Sequence, residues 1–189
     1  LRRVGLDNTP RLEIEESRYL GYLEAHIEQG CYLEEANEKI GIVTAIVGMR
    51  GLIISFKGEQ NHAGTTTMKR RKDAATAMFE TAYRINTQFP QLARETTVWT
   101  LGNAVVEPGA SSIVPGAAEL TLQFRDQDES ILDALEQEVK KIVEDIRSRG
   151  EILVDVRPGR EVIRPSRMDK NFQTHLEKSA QEITPNAWR

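Results

Sequence analysis

The chain has 189 residues, of which 39% are hydrophobic and 29% charged, with a formal net charge of -4 and a pI near 5.5. Such a mixture fits a soluble globular protein and disfavours disordered or fibrous classes, while the acidic balance and the lack of a basic stripe with interleaved aromatics argue against a nucleic-acid partner. The longest nearly apolar run, residues 40–49, is too short to span a bilayer, no signal peptide is visible, and the single cysteine, Cys31, excludes an internal disulfide and suits a reducing, cytoplasmic setting.

Residues 1–16 are polar and irregular, with Gly5 and Pro10 as breakers. Residues 19–27 read as a strand that ends near His26, and residues 40–47, β-branched and bounded by glycines, read as another. Gly48 and Gly51 then allow a change of direction. Leu52, Ile54 and Phe56 alternate with Ile53, Ser55 and Lys57, and a period of two predicts a strand. Ala74, Met78, Ala82, Ile85 and Phe89 make one helical stripe, stopped by Pro90. Residues 97–106 read as a strand broken by Pro108-Gly109. In the next strand Ala118, Leu120, Leu122 and Phe124 share a face.

Asp126 with Glu129 three residues later resembles a helix start. Leu132, Leu135, Val139, Ile142 and Ile146 form the second helical stripe, closed by Gly150, and Ile152, Val154 and Val156 alternate into a further strand. The order over residues 50–157 is therefore β-α-β-β-α-β, which predicts an α+β, ferredoxin-like unit with both helices on one face of an antiparallel sheet. Pro158-Gly159 and Pro165 lead into a last helix, residues 169–183.

Three histidines offer chemistry. His26, at a strand end before Gly30, could be a zinc ligand; on the residue alone, a hydrogen-bonded strand-end histidine fits better. Strict alternation puts Glu28 on the His26 face, whereas a chain turning at Gly30 would let Gln29 reach the site. His62, after the first strand of the β-α-β-β-α-β unit, could donate to a developing oxyanion or be a solvated loop residue. His175 reads as a surface residue of the last helix. Arg125 could grip a carboxylate with both arms of its guanidinium, or pair with Asp126 or Asp128. The Glu34-Glu35 pair reads as a solvated helix face.

Taken together, Tyr22-Leu23-Glu24-Ala25-His26-Ile27-Glu28-Gln29-Gly30, Gly41-Ile42-Val43-Thr44 and Asn61-His62-Ala63-Gly64-Thr65-Thr66-Thr67-Met68 resemble the M20-type metallohydrolases, in the subgroup of N-carbamoyl-L-amino acid hydrolases, allantoate amidohydrolases and β-ureidopropionases. The resemblance implies a metal-dependent hydrolase of linear amide or ureido C–N bonds, with two divalent ions, zinc or manganese, in the full-length parent. It implies that residues 1–47 and 163–189 are pieces of a catalytic domain and that residues 48–162 are a lid through which a homodimer forms. By the same resemblance His26 is a metal ligand, Gln29 a substrate-binding residue, and His62 the group that polarises the scissile carbonyl in the partner subunit. Arg125 holds the substrate carboxylate, so one lid is expected to carry both imidazole and guanidinium over a neighbouring site.

Ser112 stands where that family usually shows an asparagine that contacts substrate, and Thr67 and Cys31 each stand where proline is usual. The remaining ligands and a glutamate base are expected outside residues 1–189, so these residues alone are expected to bind zinc poorly and not to hydrolyse substrate. The competing reading is a stand-alone ferredoxin-like dimerisation or small-molecule-binding module without catalysis. An unpaired sheet edge favours a two-fold dimer in either case.

Overall fold

The computed structural model describes residues 2–7, 9, 10, 13 and 15–189. Residues 1, 8, 11, 12 and 14 of the polar leading stretch lie outside the described residues. The chain divides into two units, Leu1–Gly41 with Ala180–Arg189, and Ile42–Ser179.

In the first unit a short helix, α1 (Tyr32–Glu35), follows a long irregular stretch. The strand expected over residues 19–27 does not form. A strand exists only as a paired ladder, and no ladder partner runs beside these residues among those described. Their apolar side chains, Leu20, Tyr22, Leu23 and Ile27 among them, are exposed. The expected strand over residues 40–47 is also mostly irregular, reduced in this unit to a single parallel bridge between Ile40 and Trp188.

The second unit contains, in chain order, β1 (Ala45–Ile46), β2 (Gly48–Lys57), β3 (Asn61–His62), α2 (Ala74–Gln88), β4 (Val98–Glu107), β5 (Ile113–Val114), β6 (Ala117–Asp126), α3 (Glu129–Ser148), β7 (Leu153–Pro158) and β8 (Ser166–Arg167). Helix α4 (Lys170–Ile183) follows. Strands β4, β6, β2 and β7 lie side by side in that order, each antiparallel to its neighbour. Two-stranded ribbons β1–β8 and β3–β5 flank this sheet in sequence. The fold is thus mixed α and β with antiparallel sheets.

The alternation explains which face is covered. Leu52, Ile54 and Phe56 of β2 and Ala118, Leu120, Leu122 and Phe124 of β6 are buried in one cluster with Ala74, Ala77, Met78 and Ile85 of α2 and Leu132, Leu135, Val139 and Ile142 of α3. Removing these side chains from water is the main stabilising term of the unit. Phe89 meets Trp99 and Phe124 edge-on, at centroid distances of 5.6 and 6.0 Å. At the start of β2 the buried Arg50 donates to Glu129, Asp133 and Glu136, tying α3 to the sheet.

Two further expectations are corrected. Gly48 and Gly51 do not turn the chain but lie inside β2, where close packing requires them. A Cβ at Gly48 would sit 2.6 Å from Pro165 Cδ, and one at Gly51 2.9 Å from Arg160 Cγ. The α3 cap is Asp128, which accepts from Ser130 N at 2.9 Å. Asp126 is instead the buried last residue of β6, accepting from Thr97 Oγ1 at 2.5 Å and Asp128 N at 2.7 Å. A second cap matches its local sequence: Asp73 accepts from Ala75 N and Thr76 N to open α2. No described helix is long and apolar enough to cross a membrane.

Candidate active-site residues

The His62 turn is built from backbone contacts. Where β2 ends, Gly58 N donates to Gly116 O at 2.9 Å and Glu59 N donates to Lys72 O at 2.8 Å. Gly58 has to be glycine, because a Cβ there would lie 1.9 Å from the Lys72 carbonyl oxygen. The chain then pairs as β3 with β5, His62 opposite Ile113, and Ala63 N donates to Ser112 O at 2.8 Å. His62 and Ser112 are thereby neighbours, and both are exposed. The turn closes when Thr66 N donates to His62 O at 3.1 Å.

The ring of His62 has a defined orientation. Its Nδ1 accepts from Gly64 N–H at 3.1 Å. In the neutral imidazole one nitrogen accepts while the other carries the proton. Nε2–H is therefore the outward donor, the form needed to stabilise negative charge on a substrate oxygen.

Sequence reading passed over Arg71. Its Nη2 donates to Ala63 O at 2.6 Å and its Nε to Thr66 O at 3.1 Å, so it spans the His62 turn. The only signal was position: a basic residue between the turn and the Asp73 helix cap.

Arg125 is exposed on the helix-free face of β6, because Phe124 and Asp126 on either side are buried. Neither expected partner takes its charge. Asp126 is occupied as described, and Asp128 pairs with Arg94 at 2.9 Å. Nε and Nη2 of Arg125 both donate to Gln123 Oε1, at 3.1 and 2.8 Å, which orients the guanidinium. His62 and Ser112 flank the Ala117 end of β6, whereas Arg125 is at its other end. Eight residues of strand separate those ends, about 26 Å at roughly 3.3 Å per residue. A single lid does not bring the imidazole and the guanidinium together, contrary to expectation.

In the first unit His26 is exposed, with Nδ1 against Ile27 O at 2.5 Å. A ring donating from Nδ1 to a carbonyl leaves Nε2 as a lone-pair donor, the arrangement common for metal-binding histidines. Glu28 is engaged elsewhere: its carboxylate accepts from Tyr32 N at 2.8 Å and Leu33 N at 3.1 Å, capping α1. Gln29 turns the chain through a left-handed conformation, φ 57°, and is exposed. Cys31 is exposed, and its thiol is pushed above its ordinary value, chiefly by a hydrogen bond with Glu35. It therefore lacks the activation of a nucleophile. His175 is exposed on α4. Among the described residues no three His, Cys, Asp or Glu are grouped to hold a metal ion, and His26 alone is not a sufficient donor set.

Comparison with known proteins adds a family match and close relatives. The peptidase dimerisation domain, M20 type, matches residues 44–151. The N-carbamoyl-L-amino-acid amidohydrolase of Paenarthrobacter aurescens is 37% identical over 135 residues, covering 71% of this chain and 32% of that protein. The allantoate amidohydrolase of Bacillus subtilis (strain 168) is 34% identical over 125 residues, covering 66% of this chain and 30% of that protein. The crystal structure of an amidase of the hydantoinase/carbamoylase family from Burkholderia phymatum has a TM-score of 0.90 at 39% identity, covering 99% of this chain and 46% of that one. The chain thus spans about a third of the length of the curated relatives it matches.

Proposed function

This chain belongs to the peptidase dimerisation domain family, and from that membership we propose that it is the lid of a metal-dependent amidohydrolase that cleaves a C–N bond of an N-carbamoyl amino acid or related ureido acid. In this reading residues 48–162 are the lid, and residues 1–47 and 163–189 are pieces of the catalytic domain. The order of the four long strands, 2-3-1-4 counted along the chain, supports the ferredoxin-like description of the lid. A cytoplasmic setting belongs to the same proposal, supported by the single free cysteine.

The observation that carries the reading is His62, an exposed imidazole whose Nδ1 is occupied by Gly64 N–H. Hydrolysis of a carbamoyl group builds negative charge on its oxygen, and the outward Nε2–H is the donor for that charge. The named substrates of both relatives, an N-carbamoyl-L-amino acid and allantoate, join such a carbonyl to a carboxylate. Arg125, its guanidinium aligned by Gln123, serves as the carboxylate clamp. Ser112 and Gln29 complete the substrate contacts, and His26 supplies one ligand of a zinc or manganese pair whose other donors are not among the described residues.

The separation along β6 favours a site shared between two copies. Strand β4 is an edge of the sheet, with Val98 opposite Arg125 at one end and Glu107 opposite Ala117 at the other. Two β4 edges paired antiparallel about a two-fold axis would set one copy's Arg125 end beside the other's His62 end. Exposed Val98 and Val105 on β4, and Phe79 and Tyr83 on the adjoining α2, supply the apolar surface for that contact. Each site then draws its imidazole and its guanidinium from different protomers.

His62→Ala in the whole hydrolase tests the reading. Turnover is expected to fall roughly 100-fold or more, the cost of losing one oxyanion donor, with metal content and sedimentation unchanged. Undiminished kcat would overturn the assignment.

A further inference from the structure

We infer that Arg71 is a positioning residue that sets the tautomer and aim of His62 through a single peptide plane. Its role rests on the reading of His62 given above.

The contact runs in three steps. Arg71 Nη2 donates to Ala63 O at 2.6 Å. That carbonyl and the N–H of Gly64 are the two ends of one planar trans peptide unit, so they point in opposite directions. Fixing the oxygen toward Arg71 turns the N–H away from it, and the N–H meets His62 Nδ1 at 3.1 Å. The second arm of the guanidinium, Nε to Thr66 O at 3.1 Å, holds the far end of the same turn, whose N–H closes onto His62 O. With Nδ1 held as an acceptor, the proton of the neutral ring is at Nε2.

The use of charge here is distinctive. Arg71 is half-buried, and no carboxylate lies within ion-pairing distance of it among the described residues. Its neighbour Lys72 is the one that faces Glu59, at 3.7 Å. Arg71 instead directs its donors to two neutral carbonyls of one turn. A planar fork can span two acceptors in fixed geometry, whereas the point charge of a lysine cannot. The backbone that carries it is set between the Met68–Arg70 turn and the Asp73 cap of α2.

The direct test is long-range 15N–1H correlation spectroscopy of the His62 ring in this chain, recorded under conditions in which the ring's own 15N shifts show it to be neutral. The wild-type ring is expected to carry its proton on Nε2. In Arg71→Ala and in Arg71→Lys the ratio of the Nε2–H to the Nδ1–H form is expected to fall roughly fivefold, the effect of losing one hydrogen bond. If one variant fails to fold, the other decides. An unmoved ratio in a folded variant overturns the inference.

A double-mutant cycle in the whole hydrolase separates positioning from general loop support. Arg71→Ala should lower kcat roughly fivefold when His62 is present and have no further effect in a His62→Ala background. Equal losses in both backgrounds overturn the inference. If His62→Ala alone leaves kcat intact, the functional reading falls, while the tautomer measurement still decides what Arg71 does.

Discussion

Gly64→Ala is the smallest change that perturbs the candidate catalytic imidazole. A Cβ at Gly64 would lie 3.1 Å from His62 Cε1 and 3.4 Å from Nδ1. Carbon atoms prefer about 3.5–4.0 Å, so the ring has to retreat by roughly half an ångström. The backbone does not object, since the left-handed glycines are Gly5, Gly109 and Gly150. Loss of chain freedom in the unfolded state offsets the local crowding, so the melting temperature should move by less than about 4 °C. A 1 Å misplacement costs about 100-fold in rate, so half of that distance predicts a fall in kcat of roughly tenfold. KM should change by less than about twofold, because the donor matters most once charge has developed on the oxygen. Initial rates of the proposed full-length hydrolase on an N-carbamoyl amino acid, with melting curves taken alongside, provide the measurement. Unchanged kcat in a variant that melts normally would refute the claim that His62 works from the observed orientation.

Gly58→Ala should behave in the opposite way, because its Cβ would meet backbone, 1.9 Å from Lys72 O, and the strand end has to move. Overpacking of that kind costs about 2–3 kcal/mol, lowering the melting temperature by roughly 4–12 °C; a melting point within a degree of wild type would show that the junction is looser than described. Acid should also unfold the protein from a defined point. A hydrogen bond from Arg149 holds Glu80 below its ordinary 4.5, Ser130 does the same for Asp128 below 3.8, and Arg84 for Asp145. For Glu136 burial opposes the shift, but Lys140 and Arg50 outweigh it. These carboxylates bind fewer protons folded than unfolded, so their stabilisation is complete above the unfolded values and is lost as pH falls through the lowered ones. Urea midpoints should be level down to about pH 5 and fall below about pH 4.5; a level midpoint down to about pH 3 would contradict the sign of these shifts.

Much of the second unit was legible because each pattern was anchored at both ends. Alternation in residues 118–124, the helical stripe from Leu132 to Ile146 and the left-handed Gly150 all agree with the structure. Pairs of turn signals located β4 and β6 to within a residue or two. What failed depended on partners that a local pattern cannot name. Residues 19–27 have strand-like side chains but no neighbouring strand to receive their hydrogen bonds. Asp126 and Asp128 both look like caps, and burial beside Thr97 decides between them. The candidate residues His62 and Arg125 were legible as residue types, but their separation along β6 was not, because side-chain spacing does not say which end of a strand a neighbouring ribbon pairs beside. Arg71 was missed because its partners are backbone carbonyls, which leave no trace in side-chain spacing.

The sharpest test of the shared site is complementation between two crippled subunits. His62→Ala and Arg125→Ala forms of the hydrolase, each assayed alone below KM, should be strongly impaired. After subunit exchange at equal concentrations, half the dimers are mixed and each mixed dimer has one site with both groups intact, so about a quarter of wild-type activity should return. Mixed dimers that form and can be isolated but remain as inactive as their parents would mean that imidazole and guanidinium do not meet across a two-fold axis.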